Sequence, residues 1–242
     1  MFLNFELKPY FGDTPMQDFN DFVRDIEAKY GNDDRLEVML RLQRELNKFI
    51  DSLRNIHRWD DEAWVKKYLL AMSQEVSELI DCFNWKWWKN PKEIDKEATT
   101  EEIVDILHFL LSAYLQLGFS ADEIVALAIG DDWAGDGDSL DKLWNYFIQT
   151  GEVIISEEDA IEKAVYLNNL ITEAYLSNPK EALENYTPEF WESIICISNY
   201  LNITPEDLFE TYIRKNYENR ARQLSKDFRG GSYYALKSSE GV

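Results

Sequence analysis

The sequence predicts an all-α protein, a helical bundle with additional helices in a central insert. Helix-start signals recur along the 242 residues, strand-like alternation does not, and apolar residues return at helical spacing. Thr14-Pro15-Met16-Gln17 opens a first helix near 15–29, and a stripe of Leu36, Met39, Leu40, Leu46, Ile50 and Leu53 defines a second near 34–55. A third is expected over 61–88, running into the cluster Asn84-Trp85-Lys86-Trp87-Trp88-Lys89-Asn90-Pro91. Thr99-Thr100-Glu101-Glu102 and Ser120-Ala121-Asp122-Glu123 read as N-caps for helices near 100–117 and 120–129. After a further helix near 138–150, Ser156-Glu157-Glu158-Asp159, Thr187-Pro188-Glu189 and Thr204-Pro205-Glu206-Asp207 open helices near 156–177, 188–201 and 205–224. Gly130 to Asp138 is the best linker. It resembles a calcium loop only superficially, because Ala134 and Leu143 fall where ligands belong.

Composition narrows the function classes. With 45% hydrophobic and 14% aromatic residues the chain can bury a core, which argues for a folded globule rather than disorder. A net charge of −21 argues against a nucleic-acid partner, whose binding surface would be basic. No apolar run reaches the roughly 18 residues of a membrane span, and the first residues lack the basic region of a signal peptide. The expectation is a cytoplasmic protein with no membrane partner. Cys82 and Cys196 form no Cys-x-x-Cys unit, so buried thiols are expected rather than a disulfide or zinc site.

The chemistry-bearing pattern is a set of acids where acids are costly. Ile103 to Leu111 is apolar almost all round, yet Asp105 lies inside it and Glu102 borders it. A carboxylate there must be paired, protonated or bound to a cation. Glu75 and Glu78 repeat the three-residue spacing upstream, and two helices that each offer two carboxylates one turn apart form a cage for hard divalent cations. Glu102 could instead close a capping box with Thr99, and Asp81, continuing the Glu75–Glu78 spacing, is expected to support a ligand rather than be one.

Three further patterns carry a bland and a sharp reading each. Gln43 and Asn47 fall on the apolar stripe of the 34–55 helix, where their amides need either an internal network or a nucleobase edge. Trp85, Trp87 and Trp88 alternate with Lys86 and Lys89, as core filling or as stacking rings beside phosphate-binding cations. Arg214, Lys215, Arg220, Arg222, Lys226 and Arg229 form a basic run, as a helix end or as a phosphate clamp. His108, one turn after Asp105, could be a hydrogen-bonded core histidine.

At these residues the sequence resembles the dimeric all-α dUTP pyrophosphatases, relatives of the MazG-like nucleotide pyrophosphatases. The blocks are Leu42-Gln43-x-x-Leu46-Asn47; Glu75-x-x-Glu78-Leu79-x-Asp81 running into Trp85-Lys86-Trp87-Trp88-Lys89-Asn90; Glu102-Ile103-Val104-Asp105-x-x-His108-Phe109; and Lys215-Asn216-x-x-Asn219-x-x-Arg222-Gln223 followed by Gly231-Ser232-Tyr233. They cover roughly residues 36–112 and 205–234. The tail departs from the usual pattern, with about one extra residue, Phe228 for a Tyr, Arg229 for a Lys and Gly230 for an acid.

The resemblance implies magnesium-dependent hydrolysis of dUTP, and of dUDP, to dUMP, with pyrophosphate leaving from dUTP and a metal-activated water as nucleophile. It implies that Glu75, Glu78, Glu102 and Asp105 bind two or more magnesium ions, Glu75 also taking the water's proton. Gln43, Asn47, His108, Trp85, Trp87 and Trp88 would receive the base, and Lys86, Lys89, Lys215, Asn219, Arg222 and Arg229 the phosphates. It also implies a homodimer, with the apolar 103–117 helix suggested at the twofold axis. Residues 1–33 read as an N-terminal extension, 34–234 as the dUTPase-like domain with 118–200 as an insert or mobile subdomain, and 235–242 as a tail. The nearest alternative within enzymes is a phage-type pyrophosphatase acting on dCTP as well as dUTP. Outside them it is an acidic, non-catalytic partner protein. A di-iron bundle is disfavoured because only one acid-x-x-His unit, Asp105 to His108, is present.

Overall fold

The computed structural model describes residues 18–58, 60–130 and 137–224, and among them it is all-α. The helices are α1 (Phe19–Tyr30), α2 (Arg35–Arg54), α3 (Asp61–Asp81), α4 (Lys96–Leu117), α5 (Ala121–Ile129), α6 (Ser139–Thr150), α7 (Glu157–Leu176), α8 (Pro179–Tyr200) and α9 (Pro205–Leu224). Ser120 and Ser156 cap α5 and α7 with full capping boxes, and Thr204 pairs with Asp207 at the start of α9, as the sequence suggests, while Asp34 and Asp138 cap α2 and α6. Thr14 to Gln17, Phe228 to Tyr233, and most of the 130–138 linker lie outside the described residues.

Helix α4 is the axis of the molecule, with α2, α3, α8 and α9 packed on it. Apart from half-buried Asp105 and Phe109, its run from Ile103 to Tyr114 is buried, most of it completely. The apolar face that suggested a dimer contact is thus covered within the chain, and it lends no support to a twofold interface. Helices α3 and α4 run antiparallel: Asp61, at the start of α3, accepts a hydrogen bond from Gln116 at 2.6 Å, while Glu75 and Glu78 approach Glu102 near the start of α4. Helix α9 runs alongside α2, with Tyr212 at Gln43 and Gln223 at Arg54. On the far side α7 packs on α3 and α8, and α5 and α6 close against α8. No single helix among the described residues is long and apolar enough to cross a membrane.

Four boundaries differ from expectation: the first helix begins at Phe19, behind Asp18, rather than near 15, and the third, fourth and eighth differ as follows. The third helix ends at Asp81 rather than at 88, because Asn84 is taken out of the helical ladder. Its backbone N–H and amide donate to the Glu157 carboxylate at the start of α7, and its side chain also binds both the N–H and the carbonyl of Lys92. The fourth helix starts earlier, at Lys96, capped by Asp95, whose carboxylate accepts from the Ala98 N–H at 3.1 Å. Thr99 is therefore inside the helix, and Glu102 is not part of a capping box. The eighth begins at Pro179 behind Asn178 and runs through Pro188. Pro188 removes one backbone donor, but the flanking residues Thr187, Phe190 and Trp191 are fully buried, which holds the helix together across it. Cys196 is buried and Cys82 half-buried, both free thiols.

Candidate active site

Helices α2, α3, α4 and α9 enclose a cavity of about 390 Å³. Its walls bring together most of the residues singled out in the sequence: Gln43, Asn47, Glu75, Glu78, Glu102, Asp105, His108, Lys215, Asn219 and Arg222.

At one end, carboxylate oxygens of Glu75, Glu78 and Glu102 all lie within 4.8 Å of one another. The spacing explains this: Glu75 and Glu78 sit one turn apart on α3, and the antiparallel α4 presents Glu102 to them. Crowding has an electrostatic signature. Burial, reinforced by Asp105, Glu78 and Glu102, pushes the Glu75 carboxyl up to about 7. Three hard oxygen donors with excess negative charge fit a divalent cation of the magnesium type.

Asp105 stands beside this cluster, bound by Lys215 at 2.6 Å. Both side chains are largely withdrawn from water, and Lys215 is 4% exposed. Burial holds Asp105 above its ordinary value despite the pull of Lys215. Lys215, Asn219 and Arg222 share one face of α9 at spacings of four and three residues, and Arg222 donates to Asn219. Next to them Glu101 accepts from Arg214 at 2.7 Å and lies 3.8 Å from Lys215. The basic run is therefore split: Arg214 is consumed in ion pairs with Glu101 and Glu218, whereas Lys215, Asn219 and Arg222 line the cavity.

At the other end lies a buried polar network. Gln43 accepts at Oε1 from His108 Nδ1 (2.6 Å) and from the Tyr212 hydroxyl (2.7 Å). Its amide nitrogen donates to Ser112 Oγ (2.9 Å) and to Asn47 Oδ1 (3.1 Å). The His108 ring stacks on Tyr212 at 4.3 Å, and its Nε2 is buried without a partner among the described residues. Burial, helped by Lys215 and Arg222, brings His108 down to about 3, so the ring is neutral.

Trp85, Trp87 and Trp88 lie elsewhere. In the segment after α3, Trp85 and Trp87 each meet Trp88 edge to face, Trp87 is 87% exposed, and none lines the cavity. Lys86 binds Asp81, which also accepts from Trp85 Nε1 and thus props this segment. Lys89 is exposed, and Arg229 lies outside the described residues. Aromatic walls come instead from Phe109, Trp64 and Tyr68, with Arg58 over the last two rings and held by Asp51. Sequence reading passed over Ser112, Tyr212, Trp64 and Tyr68. The only available signal was spacing, since Ser112 lies one turn after His108 and Tyr212 one turn before Lys215.

A search of curated proteins finds no match to this chain. The family model described as dUTPase does match it, over residues 35–226. That span begins at the first residue of α2 and includes the acidic cluster, the buried amide network and the α9 cations, so the chain belongs to the dUTPase family.

Proposed function

We propose that this chain hydrolyses dUTP to dUMP and pyrophosphate, and dUDP to dUMP and phosphate, in a magnesium-dependent reaction. The observation that carries this reading is one cavity with a three-glutamate cluster at one end, a buried amide–imidazole network at the other and cations along a connecting helix face. A nucleotide has the same polarity: a flat hydrogen-bonding base, and a polyphosphate that needs counter-charge.

Glu75, Glu78 and Glu102 would hold magnesium, with Asp105 as a fourth acid. The chemistry such ions supply is neutralisation of phosphate charge and acidification of water. Glu75 would accept the attacking water's proton, a role suited to a carboxyl whose surroundings favour its protonated form. Lys215, already desolvated, would pass from Asp105 to a phosphate oxygen as substrate enters, freeing Asp105. Asn219 and Arg222 would orient the same phosphates by hydrogen bonding. Gln43, Asn47 and His108 would receive the base. Trp85, Trp87, Trp88, Lys86 and Lys89 would reach the nucleotide only by movement of the 82–95 segment over the cavity, and Arg229 would join the phosphate contacts from the tail. The assembly would be a homodimer.

The test is a panel of deoxynucleoside triphosphates with and without magnesium, scored by pyrophosphate release. Rapid, magnesium-dependent turnover of dUTP is expected. Turnover of dCTP at an equal rate would overturn the base assignment, and silence across the panel would overturn the activity.

A further inference from the structure

The buried network at the base end of the cavity has a definite hydrogen-bond polarity, which can be traced from one hydroxyl. Ser112 has two acceptors in reach, the carbonyl of His108, four residues earlier on α4, at 2.8 Å and Asn47 Oδ1 at 3.4 Å, and its single proton goes to the nearer, the His108 carbonyl. Its oxygen can then only accept, and it receives the Gln43 amide at 2.9 Å and the Asn47 amide at 3.2 Å. Gln43 must therefore turn its nitrogen toward Ser112 and its oxygen toward Tyr212 and His108. A carbonyl oxygen cannot donate, so His108 must carry its proton on Nδ1, 2.6 Å away. The ring is neutral, so Nε2 is left with a bare lone pair. That atom is buried and, among the described residues, unpartnered, on a residue 4% exposed that lines the cavity. A buried acceptor left unsatisfied costs on the order of 1–3 kcal/mol unless something fills it.

Resting on the dUTPase reading above, we propose that Ser112 is a positioning residue for base recognition. Through Gln43 it fixes His108 as the Nδ1–H tautomer, so that Nε2 accepts the imide N–H of a uracil ring. The ligand class is a base with a ring N–H, and a base lacking that hydrogen leaves Nε2 orphaned. Tyr212, whose hydroxyl has the Met39 carbonyl at 3.1 Å and Gln43 Oε1 at 2.7 Å as acceptors, supports the same polarity by donating to the nearer, Gln43, and by stacking on the imidazole.

The experiment reads the tautomer directly. The chain has two histidines, and exposed His57 can be replaced by Gln, leaving His108 as the only imidazole. Nitrogen-15 NMR of that protein should show a protonated Nδ1 and an unprotonated Nε2. Ser112→Ala, which fits the same space, should shift a measurable population to the Nε2–H form. The same change should lower kcat/KM for dUTP about tenfold and shrink the preference for dUTP over its N3-methyl derivative. A protonated Nε2 in the parent protein overturns the proposal. So does a Ser112→Ala protein with unchanged tautomer and unchanged N3-methyl discrimination. A chain that turns over no dUTP sinks the functional reading alone, because the tautomer measurement is made on the protein without nucleotide.

Discussion

At the scale of single residues, the site stores electrostatic tension. Glu75 has its carboxyl pushed up to about 7 by burial and by the acids around it. Because the folded value lies above the ordinary 4.5, the folded state holds this proton more tightly than the unfolded chain does. The resulting penalty is absent below about pH 4.5, grows as pH rises toward 7 and is complete above that. Glu75→Gln should therefore stabilise the metal-free protein at pH 8, by on the order of 1 kcal/mol after solvent screening in the open cavity, and make no difference at pH 4. Urea midpoints at the two pH values measure this. The same substitution should cost at least about a hundredfold in turnover at saturating magnesium, and an unchanged rate would remove Glu75 from the mechanism. Magnesium affinity, measured by calorimetry, should rise with pH up to about 7 and then level off, since the cation competes with the Glu75 proton.

The Asp105–Lys215 pair makes a sharper residue-scale statement. Lys215→Met leaves a desolvated carboxylate without its 2.6 Å partner and should destabilise the fold by about 3 kcal/mol. Adding Asp105→Asn removes the stranded charge and should recover most of that loss. If the double variant is no more stable than the single one in denaturant titrations, the pair is not coupled as its geometry indicates.

At the scale of elements, the beginning of α4 is set by Asp95, not by Thr99. Asp95→Ala should lower stability by about 1 kcal/mol and speed hydrogen exchange at Lys96 to Ala98. No change in either measurement would return the cap to Thr99. The end of α3 is a similar case. Asn84, Trp85 and Lys86 are compatible with helix by local preference, but Glu157, more than 70 residues away, captures the Asn84 backbone donor. The consequence is functional geometry: the Trp-Lys segment leaves the helix and stands apart from the cavity that its chemistry suggested.

At the scale of the whole molecule, most of the apolar stretch from Ile103 to Tyr114 is consumed inside one chain by α2, α3, α8 and α9. The proposed homodimer must then use another face. Light scattering at micromolar concentration should report twice the chain mass of 28.5 kDa, and a value near 28.5 kDa would make the functional unit a monomer. Helix α1 packs on α9, just outside the span matched by the family, so the N-terminal residues it includes join the bundle next to the site-bearing helix.

By itself the sequence determined the fold class, most helix starts, and the acids and amides from which a site could be built. Those properties are local: a cap needs three or four neighbouring residues, and the Glu75–Glu78 and Gln43–Asn47 spacings place side chains on one helix face wherever that helix goes. What only the tertiary structure decided was which of those faces meet. The antiparallel crossing of α3 and α4 assembles three glutamates and leaves Asp105 to Lys215. The parallel run of α2 and α9 puts Tyr212 on Gln43. The Glu157–Asn84 contact holds the tryptophans away from the cavity. Ser112 and Tyr212 carry no pattern of their own in sequence. Their role exists because a hydroxyl's acceptor and donor capacities are assigned by partners on other helices, and only packing brings those partners within 3 Å.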